Sequence, residues 1–383
     1  MSDFWSQAGA GNRSNGSRSI QKAVNLALQG GGSHGAFAWG VLDQLLGDGR
    51  ITIDGISATS AGAMNAVTLA YGWAIGGPDG ARRSLAEFWH RIGNTGNFSW
   101  LQPSWFERIM PSDALRFSPL FVTFDLITRI FSPYEFNPLN INPLREALTA
   151  TVDFEVLRSP DCPIKLFLCA SNVRTGKIKI FERDTICVDR VMASACLPQL
   201  FQAVEIDGEH YWDGGYMGNP AMFPLIYNCT SRDIVLIRIN PLSRHQLPRT
   251  AAEILNRINE ISFNSSLMRE MRVMNFVTGL IDSGQLSEPP FRRMLVHSIS
   301  ADQEMTKLGA TSKLNAEMGF LERLRDVGRR RAEAWLADKF DSLGRESTIE
   351  LQKEFCDPNR NLSNGPLSTG ADSPHSPLGQ TGA

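Results

Sequence analysis

Three separated stretches hold residue types that can make and break bonds. Ala58-Thr59-Ser60-Ala61-Gly62 sets a serine among small residues. A sharp strand-to-helix turn needs small neighbours and lifts a hydroxyl clear of the backbone, so Ser60 is a candidate nucleophile for acyl transfer. The stretch departs from G-x-S-x-G because Ala58 stands where the first glycine would be, and a serine that only caps a helix has the same local look. The second stretch is Gly30-Gly31-Gly32-Ser33-His34-Gly35. Such a run lets backbone N–H groups approach a phosphate, or the oxyanion of an ester's tetrahedral intermediate. The third is Asp213-Gly214-Gly215. D-G-G alone is a common turn, but Asp213 becomes a candidate base if burial raises its pKa above the roughly 3.9 of a free carboxyl.

The elements around these stretches are legible from hydrophobic pattern. Val24 to Gln29 reads as a buried strand, followed by the glycines and then a helix with Phe37, Val41 and Leu45 on one face. Ile51 to Ala58 is a second strand, Ser60 sits at its end, and Ala61 to Tyr71 is helical. Strand–turn–helix repeated twice implies an α/β fold with parallel strands. Further strands are expected at Lys165–Ala170 and Lys177–Glu182, joined through Arg174-Thr175-Gly176. Others are expected at Val204–Ile206, before the turn Asp207-Gly208, and at Asp233–Ile239. The pattern turns helical from Thr250, with Ile254, Ile258 and Ile261 on one face, and a last helix is expected from Lys313 to Phe340.

These readings divide the chain into a catalytic unit at 22–245 and a helical extension at 246–345 packed on it. The ends, 1–21 and 346–383, are expected to be largely disordered, the tail from Asp357 being Pro, Gly, Ser and Asn with few large apolar residues. An insertion at 92–143 gathers Phe98, Trp100, Trp105, Phe106, Phe117, Phe121, Phe124, Phe131, Tyr134 and Phe136 between repeated prolines. It reads equally as a lid or acyl-chain wall and as core of an added subdomain.

Taken in order, the glycine run, the Ser60 turn, Ala193-Ser194-Ala195-Cys196-Leu197-Pro198 and Asp213-Gly214-Gly215 resemble the patatin-like phospholipase family over residues 24–226. The resemblance implies a three-layer α/β/α fold with a mostly parallel sheet and a Ser–Asp dyad in place of a triad. It implies that Ser60 is the nucleophile, Asp213 the general base, and Gly31, Gly32 and the Ala61 amide the oxyanion donors. Gly30 and Gly35 belong to the same loop, while Ala58, Gly62, Gly214 and Gly215 support the two turns. No metal or organic cofactor is implied. The substrate class is a phospholipid or neutral glycerolipid, although some bacterial members resemble depolymerases of intracellular polyhydroxyalkanoate granules. His34 stands where many bacterial members have Arg, and it is expected on the loop's outer surface.

Other readings are kept beside this one. Gly30-x-Gly32-x-x-Gly35 with Asp54 downstream satisfies a dinucleotide fingerprint but leaves Ser60 and Asp213 without a role. An inactive lipid-binding scaffold on the same fold draws only on Ala58. A formal net charge of −2 argues against nucleic acid as a partner. Six scattered cysteines read as a reduced, intracellular set. The first twenty residues hold no apolar leader and no run is long enough to span a membrane, so a cytoplasmic location is expected. Peripheral attachment to a membrane or granule stays open. Arg323, Arg325, Arg329, Arg330 and Arg331 could meet an anionic surface or form a solvated helix face. Oligomeric state is not legible.

Overall fold

A computed structural model describes residues 21–95, 131–244 and 246–356 of the chain. β1 (Lys22–Leu28) turns tightly into α1 (Gly35–Asp48), and β2 (Ile51–Ala58) turns tightly into α2 (Ala61–Thr95). β1 and β2 pair in parallel from Lys22↔Ile51 to Leu28↔Ala58. Both turns therefore emerge side by side at the carboxyl end of the sheet, where ligands of open α/β folds bind.

β3 (Lys165–Asn172) pairs in parallel with β2 and in antiparallel fashion with β4 (Ile178–Glu182), the hairpin expected from the sequence. β5 (Val204–Ile206) and β6 (Glu209–Asp213) form a second hairpin. Its turn residues Asp207 and Gly208 both have positive φ, as a two-residue connection of the right twist requires. β7 (Asp233–Arg238) lies parallel on the other side of β1, and β8 (Leu295–Ser300) lies parallel outside β7.

Strand alternation explains the layers. Val24, Leu26 and Leu28 join one apolar cluster and Ala27 another, as Val235 and Ile237 part from Ile234 and Leu236. A sheet apolar on both faces needs helices on both. α1, α2, α3 (Pro143–Thr151) and α4 (Val188–Ser194) cover one face. Leu267, Met271 and Met274 of α5 (Ala251–Asp282) cover the other. α6 (Met318–Lys339) packs on α1 so closely that a Cβ on Gly40 would lie 1.9 Å from the Arg325 carbonyl oxygen.

Several expectations change. α2 runs far past Tyr71, because Gly76 and Gly77 bend it just before Pro78 without ending it. The last helix starts at Met318, not Lys313, since 310–314 form a tight turn of 3-10 type. Residues 246–345 are mostly helical, yet they also supply β8 to the central sheet. Folded chain continues past 345: Leu351 and Phe355, one helical turn apart, are buried in the second cluster. Ile254, Ile258 and Ile261 share a face, but it is the exposed one, at 44%, 55% and 54%. Of the 92–143 insertion, 92–95 finish α2 and 131–143 are described. Its first seven aromatics, Phe98 to Phe124, lie outside the described residues, as do 1–20 and 357–383. Arg325 and Arg329 reach Asp326, Arg329 also Asp43, Arg323 Glu317 and Arg331 Glu304, so most of the basic helix is already neutralised.

Candidate active site

The β2–α2 turn bends at Ser60, whose φ of 57° is left-handed, a conformation few non-glycine residues hold. Small neighbours make the turn fit. A Cβ on Gly62 would come within 2.4 Å of the Leu28 carbonyl oxygen. Ala58 is fully buried, where its methyl is accommodated. Thr59 Oγ1 donates to the Gly218 carbonyl at 2.7 Å, and the Ser60 N–H donates to Ser194 Oγ at 3.1 Å. Ser194 closes α4 and belongs to the Ala193–Pro198 stretch.

The glycine loop lies directly against this turn. A Cβ on Gly30 would sit 2.6 Å from Ser60 Cβ, and one on Gly35 2.7 Å from Ala61 Cβ. Gly32 has φ +59° and passes beneath the Lys313 carbonyl. The loop is clamped on both sides. Gly30 N–H donates to Asn219 Oδ1 at 2.7 Å, and its carbonyl accepts from Asn240 Nδ2 at 2.9 Å. Gln29 ties the same frame together, accepting from the Ile239 and Asn240 amides. A Cβ on Gly31 would meet Ile239 at 2.8 Å. Gly32 and Ala61 each open a helix, where N–H groups have no acceptor within the helix and point outward.

Sheet register brings Asp213 to the same place. Leu168 of β3 pairs with Ala58 on one edge and Phe181 on the other; two residues on, Ala170 pairs with Asp213 and Lys179. β4 occupies one edge throughout, so β6 takes the edge that β2 has just vacated. Asp213 thus follows on from Ala58, beside Ser60. It is fully buried; Oδ1 accepts the Gly215 N–H at 2.7 Å, while Oδ2 has no hydrogen-bond partner. Burial raises its pKa to about 6, opposed by the Gly215 N–H, the neighbouring Ser60 hydroxyl and the Lys313 charge. The hydroxyl is near enough to favour the carboxylate but makes no hydrogen bond of ordinary geometry with it. Gly214 and Gly215 are required by close approach to the Cys169 carbonyl and the Phe263 ring, each 2.1 Å from a built Cβ.

Ser60 opens into a cleft of about 510 Å³ whose walls include Met64, Phe88, Trp89, Ile141, Leu197 and Phe201, with Gly32, Ser33 and Ala61 at its head. The chemical content is a hydroxyl, an unpaired carboxylate oxygen of raised basicity, outward amides and an apolar channel. That set can carry acyl transfer.

His34 is not on the surface. It is 3% exposed, and burial with the Lys313 charge lowers its pKa to about 3, so it is neutral. Its Nε2 lies 2.8 Å from Ser312 Oγ, whose proton goes to the Gly309 carbonyl. Nε2 therefore carries the hydrogen, and the imidazole ties the loop to 309–312. Asp54 accepts the Ser231 and Thr230 amides and the Lys165 ammonium, so its carboxylate is already engaged. Ser194 lies in the Ala193–Pro198 stretch that the sequence singled out, whereas Asn219, Asn240 and Lys313 were not found by sequence reasoning, because isolated polar residues carry no spacing signal. Among the described residues no three His, Cys, Asp or Glu are grouped to hold a metal ion, and no helix is long and apolar enough to cross a membrane.

The sequence pattern described as patatin-like phospholipase matches residues 26–226. The crystal structure of VipD from Legionella pneumophila is 14% identical, with 88% of this chain and 73% of that one covered and a TM-score of 0.41. ExoU from the type III secretion system of Pseudomonas aeruginosa, solved with SpcU, is 14% identical, with 82% of this chain and 54% of that one covered and a TM-score of 0.29. A search of curated proteins finds no match.

Proposed function

The chain belongs to the patatin-like phospholipase family, and on that premise we propose that it is a serine hydrolase of lipid acyl esters working through Ser60 and Asp213. The observation that carries the reading is the unpaired Oδ2 of buried Asp213 beside a strained Ser60 at the head of an apolar cleft. Asp213 takes the Ser60 proton as Oγ attacks the ester carbonyl. The negative charge formed on the carbonyl oxygen is met by the amides of Gly31, Gly32 and Ala61. Asp213 returns the proton to the leaving alcohol, and water then attacks the acyl-Ser60 ester by the same steps in reverse.

The apolar walls support a long acyl chain, delivered from a membrane or granule surface. Incubation with phospholipid vesicles, triacylglycerol emulsion and polyhydroxybutyrate granules, with titration of released acid, tests the substrate. Acid from the lipids and none from the granules supports the reading. Acid from granules alone would replace it with a polyester depolymerase, and equal release by wild type and Ser60→Ala would remove the serine mechanism.

A further inference from the structure

Lys313 is the one charged side chain among the described residues that line the cleft. It arrives from outside the family-matched region, on the 310–314 turn that sits over the glycine loop. Its Nζ donates to Asn240 Oδ1 at 2.9 Å, the only hydrogen bond described for an ammonium that has three to give. Burial lowers its proton affinity, Glu260 and Asp213 restore part of it, and Arg244 opposes them. His34, the other titratable neighbour, is neutral. Glu260 is already bonded to Arg244 and Arg257. Lys313 lines the cleft, and its part-buried ammonium keeps unfilled donors, an arrangement that is costly unless an anion completes it.

We propose that Lys313 is a specificity-determining residue, binding an anionic oxygen group carried by the ester substrate and placing that group on the glycine-loop side of the cleft. This rests on the hydrolase reading above and deepens it. The shared chemistry is an oxyacid anion, either the phosphate diester of a lipid headgroup or the free carboxylate ending a hydroxyacid polyester. Two or more charge-assisted hydrogen bonds are available from Nζ, so an anionic ligand outbinds its uncharged match by roughly 10- to 100-fold.

Binding is measured by calorimetry on Ser60→Ala protein, which separates recognition from turnover. One pair of ligands is dihexanoylphosphatidylglycerol against dihexanoylglycerol; the other is the 3-hydroxybutyrate trimer as free acid against its methyl ester. The expected result is a preference of at least about tenfold for the anion in one pair. The pair that shows it identifies the source. Adding Lys313→Met collapses the preference, and adding Lys313→Arg keeps it. No preference in either pair overturns the proposal, even if the Met variant fails to fold. So does a preference that survives Lys313→Met, or equal weakening of both members, which would make Lys313 only a support for Asn240. Full esterase activity in Ser60→Ala would instead defeat the hydrolase reading, leaving the binding comparison to judge Lys313 by itself.

Discussion

Ser60 and Asp213 are each held in an unfavourable state by their surroundings, one in its backbone and one in its ionisation. Such strain is retained where chemistry uses it. Replacing Ser60 with Ala is expected to lower kcat/KM for a p-nitrophenyl ester by at least roughly 10³-fold. Because the base must be ionised, kcat/KM should fall as pH drops through about 6, the raised pKa of Asp213. A pH–rate profile flat to pH 4 would show that Asp213 is not the titrating base. The same shift bears on stability. The folded state favours protonated Asp213, so its contribution is complete below the unfolded pKa and is lost as pH rises through about 6. Asp213→Asn should therefore abolish activity while raising stability at pH 8 by up to about 3 kcal/mol, with the gain disappearing near pH 4. Thermal melts at the two pH values measure this. Ser60 and the glycines stand out in the sequence because turn chemistry restricts which residues fit, and Asp213 stands out because Asp213-Gly214-Gly215 completes the ordered set that resembles the family. Asn219, Asn240 and Lys313 do not, since their positions are set by distant pairing rather than local pattern.

At the scale of elements, the α1–α6 contact shows how little room the packing leaves. Gly328 lies within α6, where Ala would ordinarily favour the helix by about 1 kcal/mol. Here a Cβ would stand 2.1 Å from the Phe37 carbonyl oxygen, so backbone would have to move. Gly328→Ala is expected to destabilise by about 1–3 kcal/mol, read from the urea midpoint. β1, β2, β3, β4 and β7 were visible in the sequence because their apolar runs are bounded by turn residues. β8 was missed: Leu295–Ser300 holds His297, Ser298 and Ser300 among its six residues, and that histidine is a core residue because its ring is partnered by Asp233 and Thr348. Ile254, Ile258 and Ile261 do share a face of α5, and that face is exposed. Periodicity reports that residues share a face, and burial is decided by what packs there, which on α5 is the face of Leu267 and Met271.

For the whole molecule, the boundary drawn at residue 245 is the expectation most altered. β8 pairs along β7, α6 lies against α1, and 309–314 seat the glycine loop. A chain ending at residue 245 would lose all three and leave apolar faces of β7 and α1 open. It is expected to give no cooperative thermal transition by circular dichroism and no esterase activity. A two-state melt from that fragment would show instead that 22–245 folds without the extension packed on it.

The His34–Ser312 hydrogen bond joins residues 278 positions apart. Translation proceeds from the amino end, so the glycine loop and Ser60 leave the ribosome long before the segment that seats them. The chemistry proposed for Ser60 therefore requires that late segment, because a growing polypeptide that has not reached Ser312 lacks the support of its glycine loop.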